Sequence, residues 1–161
     1  MQQIEYKRGF ATIKVGYAKG IIEYGGKKLS KNEITGFGIG TGMGSTLRKS
    51  SMKPISKNTN LKTIGGNMLN QMDTMLVIAY KNPNEEKISG LYIPIMIKDP
   101  VCLNFLEQIK KDMKSKYLGV GNYHLLVKEL KIPQKGLYIF LFITVIVIIG
   151  IGMFFATKGS Y

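Results

Sequence analysis

Between Leu137 and Ala156 the sequence LYIFLFITVIVIIGIGMFFA runs for 20 residues without a charged side chain. At about 1.5 Å of rise per residue, a helix of that length covers the roughly 30 Å hydrocarbon core of a bilayer. The chain ahead of it is too short to bury such a helix on every side. Residues 137–156 are therefore expected to form a single transmembrane helix, with TKGSY (157–161) as a short tail on the far side. Lys131, Lys135 and Lys158 flank the block, and Tyr138 and Tyr161 lie near its two ends, the pattern expected at headgroup level. Thr144, Gly150 and Gly152 are its candidate helix-packing positions, although their spacing is not G-x-x-x-G. With no charge in the block, it is expected to act as an anchor and not to conduct ions by itself.

The N-terminus, MQQIEYKRGF, has no apolar signal-peptide region, so the N-terminal domain is expected to remain cytoplasmic. Residues 1–135 hold 22 of the 23 Lys and Arg and all 10 Asp and Glu, a formal +12. The single cysteine, Cys102, excludes an internal disulfide and suits a reducing compartment.

Within those residues, FATIKVGYAKGIIEYGGKKL alternates apolar and polar positions around KG and GGKK turns, which predicts two or three antiparallel strands. NEITGFGIGTG continues the sheet. The periodicity fails across residues 43–71, rich in Ser, Asn, Lys and Gly, and this stretch is expected to be an irregular insert. MLVIAY and ISGLYIPIMI then predict a hairpin, with Pro94 at an edge or bulge. Asp99 and Pro100 form a helix start, followed by Cys102, Phe105, Leu106, Ile109, Met113 and Tyr117 at helical spacing. Gly119 and Gly121 are read as the stop of this helix, and residues 119–136 as a juxtamembrane connector.

Strands, insert, strands and one closing helix give an α+β class: an antiparallel sheet or partly open barrel closed by one C-terminal amphipathic helix. In this layout GIIEYGGKKLSKNEITGFGIG and LYIPIMIKDPVCLNFLEQIKKDM resemble the pleckstrin-homology-like (PH-like) domains of bacterial membrane-associated proteins, over residues 1–118. The chain has no tryptophan, which eukaryotic members commonly carry in that helix, and no headgroup-binding residue is carried over from the resemblance.

GFGIGTGMGS places Gly36, Gly38, Gly40, Gly42 and Gly44 at every second position. A phosphate loop needs backbone amides converging at a helix N-terminus, and its triphosphate-binding form adds Gly-Lys-Ser/Thr. A dinucleotide fingerprint needs G-x-G-x-x-G opening a helix. Neither context is present, and a period of two is the period of a strand. The segment is read as a strand with one bare face, a close-packing surface for a partner or the membrane, against the alternatives of a flexible loop or a nucleotide site. From Glu33 to Asp73 there is no intervening acidic residue, while Arg48, Lys49, Lys53, Lys57 and Lys62 fall there, a basic insert suited to an anionic leaflet. Lys110, Lys111 and Lys114 on the helix add to it. Nucleic acid is the competing partner, but no aromatic residue lies between Phe37 and Tyr80 to stack bases.

His124 is the only histidine; a Cys102–His124 couple would need a buried thiol to meet a juxtamembrane imidazole. The carboxylates form no evident acid-base pair, and no catalytic, cofactor or metal site is assigned. The sequence thus points to a membrane-anchored, non-enzymatic binding or accessory subunit of a membrane-bound assembly. Its expected partners are other membrane-protein subunits or anionic lipid headgroups. A nucleotide sensor or enzyme and a membrane-tethered nucleic-acid binder are the alternatives.

Overall fold

The computed structural model describes residues 1–42, 55–59, 61, 74–82 and 86–133. The expected membrane helix with Thr144, Gly150 and Gly152 lies outside the described residues. So do Gly44, Arg48, Lys49, Lys53 and Lys62. Among the described residues no helix is long and apolar enough to cross a membrane.

The fold is α+β, with two four-stranded sheets. β1 (Gln2–Arg8), β2 (Ala11–Ala18), β3 (Ile21–Tyr24) and β4 (Lys27–Ser30) form an antiparallel meander in that order. All three of its turns have two residues, and in the last Gly25-Gly26 joins Tyr24 to its partner Lys27. Both glycines have positive φ, 58° and 78°, the conformation a two-residue turn needs to match the twist of its strands.

The second sheet runs β7-β6-β5-β8, from β5 (Ile34–Thr41), β6 (Met75–Lys81), β7 (Ile88–Pro94) and β8 (Tyr117–Asn122). β5, β6 and β7 pair antiparallel, whereas β8 pairs parallel with β5. Pro94 ends β7, which is the edge strand, so its missing N–H removes no ladder bond from the sheet interior.

Between the sheets lies the main core. Ile4, Tyr6, Val15, Tyr17, Ile22 and Leu29 come from the first sheet and Phe37, Ile39, Leu76, Ile78 and Ile93 from the second. Helix α1 (Pro100–Asp112) closes this core with Cys102, Phe105, Leu106 and Ile109, one face of the helix. Asp99 caps it as the sequence predicts, accepting from Val101 N at 2.8 Å and Cys102 N at 3.1 Å.

A smaller core lies on the other face of the second sheet. There helix α2 (Tyr123–Glu129) and the residues after it bring Leu126, Val127, Leu130 and Ile132 onto Met75, Val77 and Ala79. β6 is consequently buried on both faces, which explains why MLVIAY is apolar without alternation.

This arrangement corrects the expected boundary after residue 118. α1 ends at Asp112, and a 3-10 turn (Lys114–Lys116) leads into β8, so Gly119 and Gly121 are strand residues and not a helix stop. Tyr117, expected on the helix, opens that strand. The connector through Ile132 belongs to the folded body, with Leu126 and Val127 fully covered.

Candidate anion-binding cleft

The glycine segment does form a strand, and its bare face is filled from within the chain. β5 directs Phe37 and Ile39 into the main core, and α2 lies over the glycines between them. A Cβ on Gly36 would meet Leu130 at 3.0 Å, one on Gly38 would meet Leu126 at 2.7 Å, and one on Gly40 would meet Tyr123 at 3.1 Å. The backbone of β5 is laddered to β6 on one side and β8 on the other, so Gly36, Gly38 and Gly40 are interior strand residues. Gly36, Gly38 and Gly40 are buried, which corrects their assignment as a surface for a partner or lipid. Gly42, just past the strand, is half-buried.

The second pair of glycines positions the charged site. Residues 55–59 lie along the free edge of β8, held by Ser56 N to Val120 O at 2.9 Å and Val120 N to Ser56 O at 3.0 Å. The approach is so close that a Cβ on Gly119 would stand 2.4 Å from Ser56 O, and one on Gly121 would stand 2.8 Å from Ile55 Cα. Only a residue without a side chain admits that neighbour. This contact brings Lys57 from the basic insert to the C-terminal end of α1, 53 positions further along the chain.

There an open cleft of about 1130 Å³ is lined by Lys57, Asn58 and Thr59 on one side and by Glu107, Lys110, Lys111 and Asp112 of α1 on the other. Lys114, Ser115 and Tyr117 complete it. Four ammonium groups thus face two carboxylates. Asp112 accepts a hydrogen bond from the Tyr17 hydroxyl at 2.6 Å; burial, and then that carboxylate, raise the Tyr17 phenol well above its ordinary value. Lys110 Nζ stands 5.3 Å from the centroid of the Tyr117 ring, within cation–π range. Among the described residues the one ion pair is Lys14–Glu5, at 3.3 Å on the first sheet, so the cleft lysines pair with no described carboxylate. Part of their charge complements the carbonyl end of α1; Lys57, from another segment, does not serve that role.

Lys57 also lines an adjoining groove of about 800 Å³ with Ile55, Leu118, Leu125, Lys128, Glu129 and Lys131. The basic surface therefore continues past α2 to the end of the described chain. α2 ends in a Schellman motif, with Ile132 N bonded to Val127 O at 3.1 Å and Lys131 N to Lys128 O at 3.0 Å. The residue in the left-handed position is Lys131, φ 55°, where glycine would carry no strain.

Of the residues singled out from the sequence, Lys57, Lys110, Lys111 and Lys114 come together. Asn58, Thr59, Glu107 and Ser115 were not singled out, Tyr117 was placed on the apolar face of the helix, and GVG in β8 is the signal for the close approach that assembles them. Cys102 and His124 lie on opposite sides of the second sheet. The thiol is buried in the main core and accepts from Met96 N at 3.4 Å, and the imidazole stands beside Tyr123 on α2. Compared with protein-family models, curated proteins and solved structures, the chain matches none of them.

Proposed function

We propose that this chain is a membrane-anchored, non-enzymatic binding subunit of a membrane-bound assembly, and that it lays its basic face against anionic headgroups. The finer likeness to PH-like domains belongs to this reading: two packed sheets with a helix closing the core between them are consistent with it, and β8 and α2 are additions to that layout.

The observation that carries the proposal is the continuity of Lys110, Lys111, Lys114 and Lys57 with Lys128 and Lys131, at the point where the described chain ends. From Pro133 to Leu137 is four residues, at most about 14 Å of extended chain. If residues 137–156 span the bilayer, this face is held within that reach of the hydrocarbon boundary. The headgroup layer itself occupies several of those ångströms. Surface attraction of about 1 kcal/mol per basic residue decays over a Debye length of roughly 8–10 Å, so lysines on this face are close enough to contribute. The lysine at the strained position 131 lies on this same face, and backbone strain is common where a side chain has a task.

The test is lysine acetylation footprinting of the full-length chain in nanodiscs of phosphatidylcholine or of phosphatidylglycerol. Lys57, Lys128 and Lys131 are expected to lose reactivity in the anionic discs while Lys14 on the first sheet does not. Equal labelling of all four lysines in the two lipids would refute the reading.

A further inference from the structure

Each open sheet has two edges, and native proteins guard such edges with charge or cover. β1 carries Glu5, Lys7 and Arg8, β4 carries Lys27 and Lys28, and the edge of β8 holds Ser56. β7 is the exception, seven residues (ISGLYIP) without a charge.

The hydrogen bonds at the two ends of β6 fix which groups of β7 face outward. Ile95 N donates to Thr74 O at 3.2 Å, one step beyond the Met75–Pro94 pair. At the other end Lys81 N donates to Glu33 O at 2.8 Å, so it is turned toward β5 and away from its β7 partner, Ile88. Bonded and unbonded pairs alternate along an antiparallel ladder. Ser89, Leu91 and Ile93 therefore bond to β6, while Ile88, Gly90 and Tyr92 turn their N–H and C=O groups to the free side. Among the described residues nothing bonds to them there. Gly90 is partly exposed and has no side chain, so the surface it exposes is main chain. Pro94, next in that row, has no N–H, and its carbonyl accepts from the Tyr6 hydroxyl at 2.7 Å.

That row is complementary to itself. With a two-fold axis at Gly90, an antiparallel second copy sets Ile88 against Tyr92, Gly90 against Gly90 and Tyr92 against Ile88, and each of these pairs exchanges both of its N–H···O=C bonds. The outer pairs match a β-branched side chain with an aromatic one, a favourable cross-strand combination. Lys87 falls opposite Ile93, so no like charges oppose. An axis at Leu91 would instead set Ile88 against Pro94, which offers no donor and whose carbonyl is already bonded.

The place where the described chain ends favours a second copy over a foreign strand. The two-fold axis of an antiparallel ladder runs along the sheet normal, so both copies carry α2 on the same side of the joined sheet. Ile132 lies over Gly90, where a Cβ would meet its Cγ2 at 3.0 Å. Both chains therefore leave on one side and beside the axis, where the two Gly90 α-carbons stand about 5.5 Å apart. If residues 137–156 span the bilayer, the two helices enter it from the same side.

We propose that the free edge of β7 is a homodimer interface, in which two copies join their second sheets through an antiparallel β7–β7 ladder centred on Gly90. The pairing does not depend on lipid charge.

The experiment is amide hydrogen exchange of the full-length chain, in phosphatidylcholine nanodiscs holding one copy and in phosphatidylcholine vesicles at rising protein density. Ser89, Leu91 and Ile93 are expected to be protected throughout by β6. Ile88, Gly90 and Tyr92 are expected to exchange freely at one copy per disc and about tenfold more slowly in dense vesicles, the slowing that follows when nine copies in ten are paired. A spin label at Lys87→Cys, exposed and just outside the ladder, reads the register in the dense vesicles. The two labelled α-carbons are expected about 21 Å apart, against about 28 Å for an axis at Leu91. Free exchange of Ile88, Gly90 and Tyr92 at every density overturns the inference. So does their protection at one copy per disc, which would mean that the chain covers its own edge. Density-dependent slowing without the shorter label separation overturns it as well.

Discussion

Gly38→Ala puts one methyl group where β5, β8 and α2 meet. The new Cβ would stand 2.7 Å from Leu126 Cδ1 and 2.8 Å from Gly119 O. Leu126 can swing away, but the carbonyl belongs to the parallel ladder between β5 and β8 and cannot move without lengthening it. Overpacking of this kind costs typically 1–3 kcal/mol, and a clash with backbone belongs at the upper end. Replacing glycine returns about 0.4–1 kcal/mol through the unfolded chain. The net effect is a destabilisation of about 2 kcal/mol, concentrated where α2 seats on β5. Amide hydrogen exchange of the full-length chain in phosphatidylcholine nanodiscs reads this locally. Amides of Tyr123–Glu129 that exchange by local opening should do so about 30-fold faster in the variant. Gly36→Ala is the internal control, because its Cβ meets only the movable end of Leu130 at 3.0 Å and a carbonyl at a relaxed 3.7 Å. It should be close to neutral. Unchanged protection in Gly38→Ala, or a larger loss in Gly36→Ala, would refute the packing of α2 on the glycine strand.

Lys131→Gly removes a left-handed strain of about 1–2 kcal/mol and gives back part of it as unfolded-chain entropy, so it should stabilise the end of α2 by about 0.5–1 kcal/mol, read as slower exchange there. Slower exchange accompanied by weaker attachment to anionic discs is the expected pair of results; faster exchange contradicts the Schellman geometry. Cys102 is pushed up to about 11, mainly by burial. The folded chain therefore holds its thiol proton more tightly than the unfolded chain does. This contribution is complete below about pH 9 and declines as pH rises to about 11. At pH 8 the thiolate is about 100-fold scarcer than in an ordinary thiol, so a disulfide reagent should modify Cys102 only on unfolding; rapid labelling of the folded chain would contradict its placement in the core.

Local rules carried much of the fold. Alternation in Ile13, Val15 and Tyr17, the Asp99-Pro100 helix start, and the period-two glycines each describe what one segment does by itself, and each is found in the structure. What covers an element was less legible. NYHLLVKEL is too short for helical periodicity to stand out, so its docking on the glycine face is visible only once β5 and β6 lie beside it. Gly119 and Gly121 obey the same logic as the β5 glycines, but two glycines after a helical pattern also read as its stop. Their actual task, admitting Ser56 and Ile55, depends on a partner more than 60 positions earlier in the chain. The cleft inherits that dependence. Lys110, Lys111 and Lys114 alone are an ordinary charged helix face, and only the Ser56–Val120 bridge adds Lys57.

The account stands on which face of the domain meets the membrane. The most direct measurement is the distance of two spin labels from the headgroup plane, using lipids that carry a gadolinium headgroup in phosphatidylglycerol nanodiscs of the full-length chain. One label goes at Asn58→Cys in the cleft and the other at Thr12→Cys on the outer face of the first sheet, both exposed, with the native Cys102 buried and silent. The predicted result is strong relaxation at position 58 and weak relaxation at position 12, with the difference shrinking at high salt. Equal relaxation at the two positions, or a label at position 12 nearer the headgroups than one at position 58, would contradict it.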